Sequence, residues 1–373
     1  MGISKYKKMK RLTIFILLPS FASGGAERVT ISLIENLDKS NFNYFLVMQN
    51  TYGPLKCNIA KKKIINLNSL KFRYALINLV KVIYKKKPKV IFSTFPHMTI
   101  FLLIIKKIFF PKMTIISREP NMPSISLLHT SNSYIIRKLY NIFMPSIDGV
   151  IASSTAMKNE LLLKGIIAKK IAIISNPINT KKIRNVEKVH RFGGKGLRLV
   201  FVGRLVYQKG LDRLIPILKN IKNIHITIIG EGLERSNLEK IIKKHKINDK
   251  ISFLGHLDSP YAYVAGADYF VLPSRWEGLP NVVLESLALG TPVITTKEIY
   301  GLEDLKYNIL KNDLLLCKNI KAMANLIIKL CERKDYKNPI LRKSLIKNYN
   351  SQSQYSKKVS NFIEKIFYEN KTN

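Results

Sequence analysis

The N-terminal half of the chain alternates short apolar runs with longer stretches in which apolar residues recur at helical spacing. The apolar runs predict strands at 12–18, 44–49, 90–93, 114–117, 149–153 and 171–175. Stretches with helical spacing stand between them, at 26–37 and 70–85. Strands that alternate with helices in this way are typical of parallel sheets with helices on both faces. This half of the chain therefore predicts a doubly wound α/β fold.

The alternation starts again after a polar, basic stretch at 181–196, which ends in the run Phe-Gly-Gly-Lys-Gly. Strands are predicted at 197–202, 224–229, 251–254, 269–272 and 293–295, and helices at 211–219, 233–245, 280–289 and 351–369. We interpret 181–196 as a linker. The expected organisation is an N-terminal domain at 1–180, a second domain at 197–350 and a C-terminal helix at 351–373.

Length and composition agree with two packed domains. The chain has 373 residues, which is long for a single core, and 46% of them are hydrophobic. Its three cysteines, Cys57, Cys317 and Cys331, are scattered and odd in number. No disulfide framework is therefore predicted, and a reducing compartment such as the cytoplasm fits this cysteine pattern.

Two apolar runs could be mistaken for membrane-inserting segments. The run at 13–18 follows a basic stretch at 5–11, as in a signal peptide, but it is short and leads into Gly24 and Gly25 rather than a cleavage site. The run at 99–110 is interrupted by two lysines and is well short of the ~20 residues that a span requires. No transmembrane helix is expected.

The chain is strongly basic, with 63 lysines and arginines against 24 acidic residues and a formal net charge of +39. Part of this excess reflects a composition rich in Lys, Ile and Asn, and charged runs are usually solvated surface. Basic residues are nevertheless mixed with aromatic and aliphatic ones at 71–74, 81–89, 104–112 and 137–140, which favours docking on an anionic membrane surface. Nucleic acid would use the same charge, but no helix-turn-helix, zinc finger or RNA-binding signature accompanies it, so no nucleic-acid partner is expected.

Two glutamates in the second half, Glu277 and Glu285, lie on either side of a predicted helix start. Pro280 is typical of a first helical turn, and Gly290 of the left-handed position that ends a helix. Glu277 is expected in the loop before the helix, and Glu285 about two turns into it. Carboxylates beside the N–H groups of a helix N-terminus predict a site for an anionic, hydroxyl-rich ligand. On spacing alone, ordinary acids on a surface helix are the alternative.

Arg204 and Lys209 follow a predicted strand and precede a predicted helix. An arginine can bind a diphosphate through two parallel hydrogen bonds, and a lysine supplies a compact positive charge. Together they could offset the charge of a departing nucleoside diphosphate without a metal. The sequence contains no Asp-x-Asp carboxylate pair and no His/Cys cluster, so no metal or other cofactor is predicted. The alternative is two surface cations in a very basic protein.

Five further motifs occur in order along the chain. They are Gly-Gly-Ala-Glu-Arg at 24–28, Gly-Arg-Leu followed by Lys-Gly at 203–210, Gly-Glu-Gly at 230–232, Phe-Leu-Gly-His at 253–256 and Ala-Asp-Tyr-Phe-Val-Leu-Pro-Ser at 267–274. With the glutamate pair, they resemble the motifs of the retaining GT-B glycosyltransferases that carry a Glu-x7-Glu signature (glycosyltransferase group 1, family 4). The resemblance extends over residues 12–297 and is greatest to bacterial enzymes that extend O-antigen, capsule or lipid-linked oligosaccharides.

The resemblance implies a GT-B fold: two Rossmann-like doubly wound parallel-sheet domains with a cleft between them, and a terminal helix that crosses back to the first domain. It implies transfer of a sugar, with retention and without a metal, from a UDP-linked donor to a polyprenyl-diphosphate-linked or other glycan acceptor. Such an enzyme is expected to be cytoplasmic and peripheral on the inner face of the cell membrane. The alternatives are a two-domain nucleotide-sugar epimerase or phosphorylase and a non-enzymatic basic protein.

By the same resemblance, Arg204 and Lys209 neutralise the donor diphosphate, Glu285 binds the ribose hydroxyls and Glu277 faces the transferred sugar. The other donor-binding residues that it implies are Gly24, Gly25, His256, Gly278, Leu279, Pro280 and Asn281. The first two glycines form a loop that lies against the donor phosphate or the acceptor. A structural turn is the alternative, since glycine also permits tight backbone geometry.

The chain departs from the family pattern in two places. Many relatives carry a histidine beside the transferred sugar, where this chain has Ser-Arg-Glu-Pro-Asn at 117–121. Arg118 and Glu119 are the candidates there, and His97 is another, although a lone histidine is more often structural. A Gly-Gly-Pro-Glu-like loop of relatives is replaced by Lys-Glu-Ile-Tyr-Gly-Leu-Glu at 297–303, which leaves the donor sugar open.

Overall fold

The computed structural model describes residues 11–130, 132–186, 189–190, 196–307, 309–310, 312–332, 343–346 and 349–372. The basic run at 5–10 and most of the glycine-rich run at 192–196 therefore lie outside the described residues. The chain divides into two compact units. Unit 1 comprises Met1–Asn176 and Gln352–Asn373, and unit 2 comprises Pro177–Ser351.

Unit 1 is built on a sheet of seven strands, all of whose pairings are parallel. In chain order the strands are β1 Leu12–Leu18, β2 Phe42–Met48, β3 Ile64–Asn66, β4 Val90–Ser93, β5 Thr114–Arg118, β6 Gly149–Ala152 and β7 Ile171–Ile173. Their order in the sheet is β3-β2-β1-β4-β5-β6-β7. The order reverses next to β1, as in a doubly wound sheet, which confirms the fold predicted for this half.

Helices cover both faces of the unit 1 sheet. They are α1 Gly25–Glu35, α2 Phe72–Lys86, α3 Pro96–Phe109, α4 Pro123–Ser126, α5 Ser133–Phe143, α6 Thr155–Leu163 and, from the end of the chain, α13 Gln352–Thr372. One apolar core holds buried side chains of α2, α3, α5 and α6. A second core, under the opposite face, holds those of α1 and α13. Both faces are therefore covered, which is why strands such as β1 and β4 are apolar at almost every position.

Unit 2 repeats the architecture with six parallel strands. They are β8 Leu197–Val202, β9 Ile224–Ile229, β10 Ile251–Phe253, β11 Tyr269–Leu272, β12 Val293–Thr296 and β13 Leu314–Cys317, in the order β10-β9-β8-β11-β12-β13. The helices are α7 Thr180–Arg184, α8 Leu211–Leu214, α9 Arg235–His245, α10 Tyr261–Gly266, α11 Asn281–Ala288 and α12 Ile320–Glu332. The order reverses between β8 and β11, so the loops after these two strands lie side by side.

Several element boundaries differ from those predicted. The strands β3 and β13 were not predicted: β3 is short and partly exposed, and its sequence carries little strand signal. The helix predicted at 211–219 is wrong beyond Leu214, where the backbone tightens to a 3-10 helix at Ile215–Asn220. Pro216 causes this change, because it lacks the N–H that an α-helical hydrogen bond needs there. The short helix α7 begins at Thr180, one residue before the stretch interpreted as a linker, and occupies its first four residues.

The helix α11 begins at Asn281, with Pro280 immediately before it, so Glu285 lies about one turn into the helix rather than two. Gly290 has φ +80°, which confirms the left-handed helix end predicted for it. Within the ranges that the structure describes, no helix is both long and apolar enough to cross a bilayer.

Candidate active site

The first loop of the candidate site follows β8, at the C-terminal edge of the unit 2 sheet. A 3-10 turn at Tyr207–Lys209 ends at Gly210, whose φ is +68°. A side chain at Gly210 would place its Cβ 2.2 Å from the carbonyl oxygen of Pro273, so only glycine lets this loop approach the loop after β11 so closely. The turn thereby directs Lys209 toward the second loop.

The second loop, Ser274 to Pro280, is fixed to the first by two arginines. The Arg213 guanidinium donates to the carbonyl oxygens of Pro273 and Ser274 and forms an ion pair with Glu298 at 2.5 Å. Arg275 donates to both carboxylate oxygens of Asp212, at 2.8 and 2.6 Å, and its guanidinium lies 3.8 Å from the centre of the Tyr207 ring. Bidentate, partly buried pairs of this kind restrict geometry more than exposed ones do.

The two loops bring Lys209 and Glu277 together. The Lys209 Nζ lies 2.5 Å from Glu277 Oε1, and both side chains are largely buried, with exposed fractions of 13% and 8%. Ser274 Oγ also donates to Oε1, at 2.9 Å, and Gln208 Nε2 donates to Oε2 at 3.3 Å. A carboxylate this buried needs compensating charge and hydrogen bonds, and here Lys209 supplies the charge.

The helix α11 supplies the other predicted donor-binding groups. Its N-terminus faces the same edge of the sheet as the two loops. Pro280 has no N–H, so the backbone N–H groups within the segment 278–281 belong to Gly278, Leu279 and Asn281. Glu285 is half-buried on this helix, and the Tyr261 hydroxyl is placed to donate to its Oε1 at 3.4 Å. The segment thus presents one buried and one partly exposed carboxylate.

Two of the predicted donor-binding side chains are exposed. Arg204 follows β8 and is exposed to solvent. His256 is also exposed, and its Nε2 lies 3.6 Å from Asp258. In the part of the chain that the structure describes, no three His, Cys, Asp or Glu side chains gather as a metal centre requires.

In unit 1, the glycine loop forms the start of α1. Gly24 is the residue before the helix, and a Cβ there would lie 2.3 Å from a carboxylate oxygen of Glu27. The buried Glu27 side chain thus folds back over Gly24, which gives this glycine a structural reason of its own. Gly25 is exposed at the first helical position. Its role toward a ligand stays a prediction.

The three acceptor-side candidates are largely buried. His97 lies between the rings of Phe72 and Phe95, with centroids 6.2 and 6.0 Å away, and burial lowers its pKa. Arg118 and Glu119 are only 2% and 1% exposed. All three therefore stay predictions as ligand contacts, and two of them would have to be uncovered to act.

Arg118 is the last residue of β5 and Glu119 follows it, and as successive residues of extended chain their side chains point to opposite faces of the sheet. Arg118 donates to the side chain of Asn176 at 2.6 Å and interacts with Tyr355 on α13. Glu119 faces Tyr140 on α5, and burial raises the pKa of its carboxyl to about 8. At neutral pH this carboxyl is therefore mostly protonated, in spite of the neighbouring arginine.

The sequence did not identify Arg213, Asp212, Arg275 or Ser274 as parts of the site. Lys209, Asp212 and Arg213 lie within one turn of each other, and Arg275 stands two residues before Glu277. Their closeness in sequence to the predicted site residues Lys209 and Glu277 was the available signal. The spacing does not show that these side chains join two loops that are distant in sequence.

Comparison with known proteins agrees with the geometry of the two units. The family model for Glycosyltransferase Family 4 matches residues 23–182, and the model for Glycosyl transferases group 1 matches residues 182–352. Together the two matches extend over most of the chain. The chain belongs to this family of glycosyltransferases, and its fold is the GT-B fold.

The chain is similar to one curated relative and to two solved structures, and the structures share its fold. The N-acetylgalactosamine-N,N'-diacetylbacillosaminyl-diphospho-undecaprenol 4-alpha-N-acetylgalactosaminyltransferase of Campylobacter jejuni is 28% identical over 80% of this chain and 83% of its own length. The lipopolysaccharide outer core galactosyltransferase WaaB has a TM-score of 0.69 at 21% identity, over 95% of this chain and 99% of WaaB. HepE of Anabaena, in complex with UDP and glucose, has a TM-score of 0.72 at 16% identity, over 95% and 100%.

The burial of Glu119 predicts a pH-dependent stability. The unfolded carboxyl titrates near 4.5 and the folded one near 8, so the folded state binds the extra proton between these values. Stability contributed at this position is therefore present below pH 4.5 and is lost as pH rises toward 8. Glu119→Gln cannot ionise, so its free energy of unfolding relative to that of the wild type should rise by roughly 3 kcal/mol between pH 5 and pH 8.

Calorimetric unfolding at pH 5, 6, 7 and 8 checks this expectation. The matched control is Glu369→Gln, an exposed glutamate on α13 of the same unit, which should follow the wild type. A difference in Tm between Glu119→Gln and the wild type that stays constant with pH would show that Glu119 is ionised in the folded protein.

Proposed function

We propose that this glycosyltransferase moves a sugar from a UDP-linked donor to a polyprenyl-diphosphate-linked glycan during synthesis of a bacterial surface polysaccharide such as O-antigen, lipopolysaccharide or capsule. The observation that carries the proposal is the buried Lys209–Glu277 pair beside the N-terminus of α11. The Campylobacter relative, whose name specifies an undecaprenyl-diphospho acceptor, supports the acceptor class. The HepE structure, in complex with UDP and glucose, supports the nucleotide.

Donor binding exchanges the partner of Lys209. The donor diphosphate carries negative charge that competes with the Glu277 carboxylate for the Lys209 ammonium. Lys209 then contacts the phosphate, and Glu277, released from the ion pair, accepts hydrogen bonds from hydroxyls of the transferred sugar. Ser274 and Gln208 already donate to Glu277, so the carboxylate keeps part of its hydrogen bonding during the exchange.

The remaining donor contacts surround this pair. The exposed guanidinium of Arg204 binds the diphosphate beside Lys209, together with the backbone N–H groups of Gly278, Leu279 and Asn281. Glu285, next to the Tyr261 hydroxyl, accepts hydrogen bonds from the ribose. The base lies against the backbone near His256.

Charge stabilisation, rather than a metal, then drives the departure of UDP. The acceptor hydroxyl oxygen bonds to the anomeric carbon on the face from which the diphosphate leaves, so the configuration is retained. The hydroxyl proton passes to the departing phosphate oxygen. Lys209, Arg204 and the α11 N-terminus stabilise the negative charge that develops on the leaving group.

The proposal also assigns an acceptor side and a cellular location to the enzyme. The Gly24–Gly25 loop, at the start of α1, is the acceptor-side element whose backbone is accessible, since Gly25 is exposed. Arg118 and Glu119 act there only if local opening uncovers them. A lipid-linked acceptor requires the enzyme at a membrane, so we place it in the cytoplasm, peripheral on the anionic inner face of the cell membrane.

The exchange at Lys209 makes nucleotide binding depend on this one ammonium. Calorimetric titration of UDP into the wild type, in excess EDTA, should show micromolar binding. Lys209→Gln can still donate to Glu277, so the site stays assembled, but it loses one charge-assisted phosphate contact. Its affinity for UDP should fall by about 10- to 150-fold, corresponding to ~1.5–3 kcal/mol.

The matched control is Lys240→Ala, an exposed lysine on α9 of the same unit, which should bind UDP as the wild type does. Fluorescence of Trp276, the only tryptophan in the sequence, reports whether the loop beside Lys209 remains packed. Equal UDP affinity in Lys209→Gln and the wild type would contradict the assignment of the diphosphate site.

Product analysis separates transfer from the rival activities. With UDP-sugar and an undecaprenyl-diphosphate-linked acceptor, the expected product is a glycosylated lipid whose new linkage, examined by NMR, keeps the donor's anomeric configuration. In the absence of acceptor, UDP-sugar should remain unchanged apart from slow hydrolysis. Acceptor-independent conversion to an epimer, or phosphorolysis of a glycan, would replace the proposed activity with one of those alternatives.

A further inference from the structure

One face of unit 1 combines exposed apolar side chains with a large excess of basic ones. It consists of α2, α3 and α5, which cover the same side of the sheet and share one core. The helix α3 packs against both α2 and α5, and the Phe72 and Phe101 rings of α2 and α3 lie 6.1 Å apart. We refer to the outer surface of these three helices as the basic helical face.

The helix α5 contributes the most apolar part of this face. Of its eleven residues only Tyr140 is buried. Ile135 and Ile142 are 56% and 57% exposed, and with Lys138 they recur at i, i+3 and i+7, which places them on one side of the helix. Solvent exposure of two isoleucines on a short helix is costly unless another apolar phase covers them.

The helix α2 repeats the same mixture. Tyr74, Ile77 and Tyr84 are 63%, 71% and 72% exposed and alternate along the helix with exposed lysines and an arginine. At its C-terminal end, the Tyr84 ring lies 6.2 Å from that of Phe110, next to the exposed Phe109 of α3. The ends of α2 and α3 thus form an aromatic cluster that is exposed among lysines.

The charge of this part of the chain has one sign. Residues 71–145 contain thirteen lysines and arginines and one acidic residue; of these, Arg118 and Glu119 are buried, and Lys106 on α3 pairs with Asp148. The neutral, buried state of Glu119 leaves the outer surface of these helices without a compensating carboxylate from this segment. A surface that is both cationic and studded with aliphatic and aromatic side chains complements the interface of an anionic bilayer.

We propose that the basic helical face docks unit 1 on an anionic lipid bilayer, with the side chains of α5 and the aromatic cluster of α2 and α3 inserted at the level of the headgroups. The inference rests on the proposed function in that a lipid-linked acceptor is reached at such a surface. Nucleic acid is the less favoured partner, because exposed isoleucines gain nothing from a phosphate backbone, whereas they are transferred out of water at a bilayer interface.

Both components of the face contribute to docking. Each basic residue near an anionic surface strengthens binding by about fivefold, and this part is weakened by salt. The isoleucines contribute through buried apolar area, which salt does not screen. The wild type should therefore bind vesicles that contain phosphatidylglycerol far better than vesicles of pure phosphatidylcholine, and high salt should reduce but not abolish that binding.

Vesicle sedimentation with the full chain, without donor or acceptor, tests the proposal. The double variant Ile135→Glu/Ile142→Glu should bind phosphatidylglycerol vesicles at least tenfold more weakly, and Arg137→Gln/Lys138→Gln about 25-fold more weakly at low salt. Both pairs are exposed, so the fold should survive. The matched control is Tyr368→Glu, an exposed aromatic on α13, which covers the opposite face of the same sheet, and it should bind like the wild type.

Three outcomes would overturn the proposal: equal binding of the wild type to neutral and anionic vesicles, loss of binding in Tyr368→Glu as in the α5 variants, or tighter binding to duplex DNA or RNA than to vesicles. The test is independent of catalysis. If the protein binds vesicles but not UDP, the docking face stands and the proposed function is refuted. If the protein binds UDP but not vesicles, the docking face alone is refuted.

Discussion

The proposed donor site depends on one buried ion pair, Lys209–Glu277, which joins the loops after two neighbouring strands. A carboxylate or ammonium removed from water at this depth needs a partner that supplies charge or hydrogen bonds. The loop after β8 and the loop after β11 are therefore held together by the groups that we propose bind the donor. Arg213 and the Arg275–Asp212 pair also join these two loops, so the Lys209–Glu277 ion pair is not the sole contact that holds the loops together.

In this arrangement Glu277 neutralises the charge of Lys209 within the protein. In the proposed mechanism, a diphosphate replaces Glu277 as the partner of Lys209, and the carboxylate thereby becomes available to the sugar. The proposal thus couples recognition of the phosphate and positioning of the sugar through a single exchange. In the basic helical face of unit 1, by contrast, only Lys106 among the described contacts pairs with a carboxylate, that of Asp148, and residues 71–145 contribute no exposed acid to balance the exposed cations of α2 and α5.

Some features of the fold and the site follow directly from the sequence. Strands buried on both faces, such as β1, are apolar at almost every position and are predicted from that run alone, and glycines such as Gly290 mark the helix end. The order of the motifs identifies the family. Short edge strands such as β3 are missed because half their surface is exposed and a three-residue run carries little pattern.

Other features depend on contacts between distant segments and could not be predicted. The sequence indicated Lys209 and Glu277 as separate donor-binding residues, but it did not indicate that the two side chains form an ion pair. It indicated Arg118 and Glu119 as candidates for the position of the relatives' histidine, and packing of α13 and α5 buries them on opposite faces of the sheet. In each case the sequence does not show which side chain of a distant element packs against the residue. That contact is set by tertiary packing rather than by the local sequence pattern.

The exchange of Glu277 for the diphosphate is tested most directly by the affinity of Glu277→Gln for UDP, measured beside Glu285→Gln. Glutamine removes the charge that competes for Lys209 and repels the phosphates, so UDP should bind Glu277→Gln about tenfold more tightly than the wild type, while sugar transfer falls. Glu285→Gln should instead bind UDP more weakly, because it loses a carboxylate that accepts from the ribose. Unchanged or weaker binding of UDP by Glu277→Gln would contradict the account.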